Sequence, residues 1–306
     1  MDKYLKMLPE IPPRLLARAW IMLVAITVWV FFVISRITDI TIDALLMWFF
    51  SCIILYYQSR KERVSRFVPA QQVVTIFLGA CFCVLSAFNI QLGFGNPPYS
   101  IGDYSILLSG IGLVIIGLYN IRSFMVPIIL PGIMTLGYQV YELALRNEQI
   151  LSAPLIPPTV FFSKSVIQIL GIPITSQSNM LILTAKTGGI VRLLVLPECT
   201  GLWSLGTYTA IVLMVLFTFP EVFSRRGALL IFIGYLGTYV GNILRISAIS
   251  VSGYLFGPTG AVEDTHLYFG WIIFLLWMTL FWYYFFTRFI RLSLKSKAPD
   301  PAEGTK

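Results

Sequence analysis

The stretch Gly227-Ala-Leu-Leu-Ile-Phe-Ile-Gly-Tyr-Leu-Gly-Thr-Tyr-Val-Gly-Asn-Ile-Leu-Arg-Ile-Ser247 holds one charged side chain, Arg245, in 21 residues. As a helix rising 1.5 Å per residue it extends roughly 31 Å, the thickness of a bilayer's hydrocarbon core. The segment therefore reads as a membrane span, and the two cations just before it, Arg225 and Arg226, mark one membrane edge.

The same pattern recurs along the chain. Residues 18–35, 40–57, 72–92, 104–121, 124–143, 200–219, 227–247 and 267–287 form eight apolar blocks. The 306 residues are 57% hydrophobic and only 12% charged, with a mean hydropathy of +0.82. Soluble domains are roughly 45–50% apolar and about 25% charged, so water cannot be the main solvent of this fold. These blocks predict an all-α polytopic membrane protein of about eight transmembrane helices.

Orientation follows from the cations. Lys3, Lys6, Arg14 and Arg18 precede the first block, and Arg60, Lys61, Arg63 and Arg66 follow the second. Arg122 follows the fourth block, Arg225 and Arg226 the sixth, and Arg288, Arg291, Lys295 and Lys297 the last. Each cluster falls on the same side, while the alternate connections hold few cations, with Arg36 in the first and none in Gly93–Asp103. By the positive-inside rule both termini are expected in the cytoplasm of a cell (plasma or inner) membrane. The first block has basic residues before it, as a signal peptide has, but it is long and lacks a small-x-small cleavage site, so it reads as a retained helix. The net charge of +8 is accounted for by these loops; no basic stripe with interleaved aromatics suggests a nucleic-acid partner.

The longest connection, about 144–199, exceeds what a structureless tether needs and falls on the outer side. Within it Thr159–Leu170 reads as a short amphipathic helix lying in the interface, with Phe161, Phe162, Val166 and Ile169 or Leu170 on its apolar side. Leu181–Thr184 and Gly189–Leu196 flank Ala185-Lys-Thr-Gly188 in a hairpin-like pattern. The expected organisation is thus helices one to five over 1–143, an extracytoplasmic helix and hairpin insertion over 144–199, helices six to eight over 200–287, and a basic cytoplasmic tail over 288–306.

The hairpin runs into Pro197-Glu-Cys-Thr-Gly201, where a sixth helix begins. A cysteine at a helix N-terminus meets partial positive charge and free N–H groups, which favour the nucleophilic thiolate and can hold an oxyanion. Cys52, Cys81 and Cys83 lie inside apolar blocks and read as packing residues. Arg245 falls near the outer end of the seventh block, where a cation is costly and needs a cavity or partner. Asn242, three residues earlier, shares its helical face and is placed to orient the guanidinium or contact a substrate. His266 is the only histidine, hence the only imidazole base near neutral pH, and it opens the eighth helix after Glu263-Asp-Thr265. No disulfide framework, metal-ligand spacing or cofactor motif is present in the sequence; one histidine cannot build a His-Glu-x-x-His zinc site. Neither a cofactor nor a metal is expected.

Cys199-Thr-Gly201 at a helix start, Asn242-x-x-Arg245 late in the next helix and His266-x-x-x-Gly270 opening the last resemble the exosortase/archaeosortase family of membrane transpeptidases. The likeness covers about residues 165–287, with the N-terminal half alike only in hydropathy. Members acting on bacterial substrates usually carry a small residue before the cysteine and Ser-Gly after it. Glu198 and Thr200 stand there here, which favours the archaeosortase branch.

The resemblance implies a cysteine protease/transpeptidase that cleaves a C-terminal sorting signal from exported proteins. That signal consists of a short motif, a transmembrane helix and a basic cluster, and the new C-terminus passes to a lipid or surface acceptor nucleophile. Cys199, Arg245 and His266 would be catalytic, with Thr200 and Asn242 as substrate contacts. A purely hydrolytic intramembrane protease, a lipid-modifying enzyme, or a transporter lined by Asn242, Arg245 and His266 are the alternatives. Against the transporter, the helices show no inverted repeat.

Overall fold

A helix follows each apolar block, and prolines and glycines punctuate them. The structure, a computed structural model, describes residues 12–34, 39–60, 65–89, 91, 101–144, 153–219 and 222–290. The helices are α1 Pro13–Ile34, α2 Asp39–Ser59, α3 Pro69–Phe88, α4 Ile101–Leu118, α5 Met125–Ala144, α6 Ile156–Ile169, α7 Leu202–Thr218, α8 Arg225–Phe256, α9 Gly260–Asp264 and α10 Gly270–Tyr284. Strands β1 Ile174–Gln177, β2 Met180–Thr184 and β3 Ile190–Leu194 form one antiparallel sheet in the order β1-β2-β3. Among the described residues, 13–30, 69–88 and 225–256 are long and apolar enough to cross a membrane. Five shorter apolar helical stretches accompany them, 44–59, 102–118, 122–137, 202–218 and 272–288. Lys3, Lys6, Arg36, Lys61, Arg63, Arg291, Lys295, Lys297, most of the Gly93–Asp103 connection, the start of the 144–199 segment and most of the 288–306 tail lie outside the described residues.

The chain divides into two compact units, residues 1–148 with 209–218, and 149–208 with 219–306. In the first, α3 and α4 approach closely because both carry glycine at the contact: a Cβ on Gly79 would lie 2.7 Å from the Gly110 carbonyl. Pro131 sits inside α5 and has no N–H, which leaves the Pro127 carbonyl without its helical donor. Ser51 Oγ from α2 donates to that carbonyl at 2.6 Å, so a buried acceptor is satisfied between helices. Trp20, Trp48, Leu113, Phe124 and Ile128 are part of the apolar core of this unit.

In the second unit the sheet buries one face. Ile174, Leu183 and Val191 stand in register across the three strands and are all buried. They pack with Val160 and Ile167 of α6 and Ile246 of α8. The β2–β3 loop docks on the far end of α8: Lys186 N–H donates to the Tyr254 carbonyl at 2.8 Å, and a Cβ on Gly253 would meet Val191 at 3.0 Å. Lower down, Tyr208 of α7 donates to the Ile231 carbonyl at 3.0 Å and stacks among Tyr235, Phe281 and Trp282. Its ring fills the space left by Gly234, where any Cβ would overlap it. This aromatic cluster locks the start of α7, α8 and α10 together.

Several expectations are corrected. The insertion is a three-stranded sheet: the predicted hairpin is present, but β1 precedes it, joined to β2 by the two residues Ser178 and Asn179. β1 escaped notice because only Ile174 of its four residues is buried. The short helix starts three residues early, at Ile156, and buries Thr159, Val160, Ser163 and Ile167 against the protein; the predicted apolar side, Phe161, Phe162, Ile169 and Leu170, is exposed, as a lipid-facing side is. α8 runs to Phe256, nine residues past the predicted 227–247 block. The eighth helix begins at Gly260 instead of 267 and contains a π turn over Thr265–Phe269.

Candidate functional site

Cys199 lies in a 3-10 turn, Pro197–Thr200, packed against the sheet core. Pro197 supplies a fixed φ and needs no donor at the turn's start, and Thr200 Oγ1 closes the turn by donating to the Pro197 carbonyl at 2.7 Å. Thr200 is completely buried, so its hydroxyl holds the turn and is not presented at the surface. Gly201 then reverses the backbone at φ +79° before α7 begins at Leu202. Cys199 therefore precedes the helix N-terminus in a separate short turn, with Gly201 between that turn and α7.

Asn242 ties this turn to α8. Its Nδ2 donates to the Cys199 carbonyl at 2.8 Å, and its side chain covers Gly201 so closely that a Cβ there would come within 2.8 Å of Asn242 Cγ. Gly201 is thus required twice, by its left-handed φ and by the space Asn242 takes. The asparagine anchors the cysteine turn through its bond to the Cys199 carbonyl.

One turn further, Arg245 is half-buried in mid-helix, eleven residues before α8 ends. The expectation that it sits near a helix end is corrected: it lies near the end of the apolar block, while the helix continues onto the sheet. Its Nη2 points to the His266 carbonyl at 3.4 Å, a long hydrogen bond. Its aliphatic stem and Nε lie on Gly270, where a Cβ would be 2.7 Å from Arg245 Cδ and 2.9 Å from Cζ. His266, half-buried, belongs to the π turn and so stands two turns inside the last helix. Glu263 and Asp264, just before it, are exposed.

Hydrogen bonds therefore link Cys199 to Asn242 and Arg245 to the His266 backbone, while Asn242 and Arg245 stand three residues apart on one face of α8. What the sequence reading missed is the support: Gly201 with its positive φ, the 3-10 turn closed by Thr200, and the π turn that sets the His266 carbonyl against Arg245. Gly270 was visible as part of a motif, though its packing role was not.

These features define a helical membrane protein with a cysteine turn, a half-buried arginine and a histidine held on adjacent helices. The family model of transmembrane exosortases matches residues 38–283, and the chain belongs to that family. Its members are, in general, cysteine-dependent membrane transpeptidases. The match reaches the family and not the archaeosortase branch within it. No curated protein and no solved structure matches the chain.

Proposed function

We propose that the chain is a membrane-embedded cysteine transpeptidase that removes a C-terminal sorting signal from exported proteins and transfers them to a lipid or surface acceptor. The observation that carries this reading is the hydrogen bond from Asn242 to the Cys199 carbonyl, one helical turn from an arginine that contacts the histidine turn. It accounts for why these residue types belong to one site. Membership in the exosortase family supplies the reaction class.

In this reading all eight apolar helices span the membrane, both termini are cytoplasmic, and Cys199, Arg245 and His266 lie at the extracytoplasmic side. The division into residues 1–143, 144–199, 200–287 and 288–306 follows the same topology. His266 takes the Cys199 proton, and the thiolate attacks the scissile carbonyl carbon. Arg245 balances the negative charge on the tetrahedral oxygen. Collapse breaks the C–N bond, and the leaving amine takes the proton from the imidazolium, leaving a thioester on Cys199. An acceptor amine or hydroxyl then loses its proton to His266, attacks the thioester, and releases the thiol. In this reading Asn242 and Thr200 position the backbone of the cysteine turn.

The test is processing of a protein ending in motif, apolar helix and basic cluster, in membranes holding wild-type or Cys199→Ala protein. Loss of the gel shift in the variant is the expected result, with an added acceptor mass on the wild-type product. Unchanged processing would overturn the enzyme reading, and a free carboxyl terminus on the wild-type product would replace transfer by hydrolysis.

A further inference from the structure

The helix α6 is read from sequence as lying in the outer interface, and its contacts place it alongside α8. Thr159, near its start, pairs its hydroxyl with the Tyr239 hydroxyl at 3.1 Å. Its far end leads through Ile172 into the sheet, which is held at Gly253 and Tyr254 of the same helix. From Thr159 to Leu170 a helix rises roughly 16 Å, and from Tyr239 to Gly253 roughly 21 Å. The two helices therefore run side by side over that length.

Depth follows from α8. Arg225 and Arg226 are exposed and mark one edge of the hydrocarbon, whichever side of the membrane they face. A core of about 30 Å then ends about 20 residues later, near Ile246. The exposed apolar band of α8 agrees, running over Leu229, Phe232, Ile233, Leu236, Val240 and Leu244, and not resuming until Leu255. Tyr239 thus lies roughly 10 Å below the second edge, and Thr159 lies beside it.

Two further features fit immersion of the α6 start. The first four N–H groups of a helix have no internal acceptor, which is costly in lipid. Pro157 and Pro158 occupy two of those positions and have no N–H to leave unpaired. The amine of Lys164 reaches Ser176 of β1 at 3.4 Å, away from the deep end and toward the sheet, as a snorkelling lysine does.

We propose that α6 is a re-entrant half-helix standing in one leaflet against α8, with Phe161 and Phe162 in contact with lipid acyl chains. Phe161 is 62% exposed and Phe162 46%, areas unlike those of a water-facing helix surface. α6 also touches the Pro197–Thr200 turn, so it stands between the lipid and that side of the cysteine turn. A half-helix of 14 residues is too short to cross, which fits a return to the same face.

The test is spin-label accessibility in liposomes, with Cys52, Cys81, Cys83 and Cys199 replaced by serine and one cysteine introduced, as Phe161→Cys or Ile190→Cys. At 161 collisions with dissolved oxygen should exceed those with a water-soluble nickel chelate several-fold, and at 190 on the exposed face of β3 the order should reverse. Nickel access at 161 equal to that at 190 would return α6 to the water surface. Exclusion of both reagents at 161 would put protein, such as a second copy or a substrate helix, on that face, and also overturns the proposal. Should the serine protein fail to fold, wild-type protein with photoactivatable acyl chains gives the same answer: adducts on Phe161 or Phe162 are expected. Adducts on Phe232 with none on either phenylalanine would refute it. Neither experiment reads Cys199 chemistry, so its outcome is separate from that of the proposed function.

Discussion

Replacing Gly270 by alanine tests the packing that sets Arg245. The added Cβ would lie 2.7 Å from Arg245 Cδ and 2.9 Å from Cζ and would overlap Nε. Carbon contacts settle at about 3.5–4.0 Å, so the side chain must retreat by about 1 Å. The Nη2 hydrogen bond to the His266 carbonyl, already 3.4 Å long, cannot survive that retreat. Overpacking costs about 1–3 kcal/mol, but alanine in a helix interior gains about 1 kcal/mol over glycine, so net destabilisation is about 0–2 kcal/mol. Displacing a reacting group by 1 Å costs on the order of 100-fold in rate. Gly270→Ala should therefore fold, melt in detergent within a few degrees of wild type, and process a sorting-signal substrate about 10- to 100-fold more slowly. Full activity in Gly270→Ala alongside an inactive Arg245→Ala would refute the claim that guanidinium placement depends on Gly270.

Other outcomes follow from the same geometry. Gly201→Ala places a side chain at φ +79° and against Asn242, and should cost about 2–4 kcal/mol, read as a lowered melting temperature with loss of processing. Thr200→Val removes the bond to the Pro197 carbonyl and should cost about 1 kcal/mol with reduced turnover, while Thr200→Ser retains both; equal behaviour of the two variants in melting and processing assays would argue against the turn-closing role. Arg245→Lys keeps the charge but loses the planar fork, and should lower processing by about 100-fold or more in the same assay without unfolding the protein.

Hydropathy makes the apolar helices legible, because bilayer thickness imposes a length that polar residues cannot interrupt. It fails where helices leave the hydrocarbon. The last turns of α8, Ser247-Ala-Ile-Ser-Val-Ser-Gly253, look polar and small, yet they are buried under the sheet, with Ser247 and Ser250 donating back to the Ile243 and Ile246 carbonyls. β2 and β3 were readable from their alternation, since Leu181, Leu183 and Val191 all face the core; β1 buries one residue and gave no such signal. The site residues were nameable from Cys199, Asn242, Arg245 and His266 as residue types. Their connection was not, because it runs through backbone carbonyls, at Cys199 and His266, which every sequence contains. The left-handed Gly201 and the π turn at Thr265–Phe269 are likewise backbone events whose cause is packing between helices distant in sequence.

The central claim is that Cys199 carries the acyl group between donor and acceptor. The most direct measurement is mass spectrometry of the product from wild-type or Cys199→Ala protein incubated in membranes with a sorting-signal substrate and hydroxylamine. Hydroxylamine should intercept the thioester on Cys199, so that the wild-type product carries a C-terminal hydroxamate and Cys199→Ala gives none. Processing by wild-type protein with no hydroxamate, or hydroxamate formation that survives Cys199→Ala, would contradict the account.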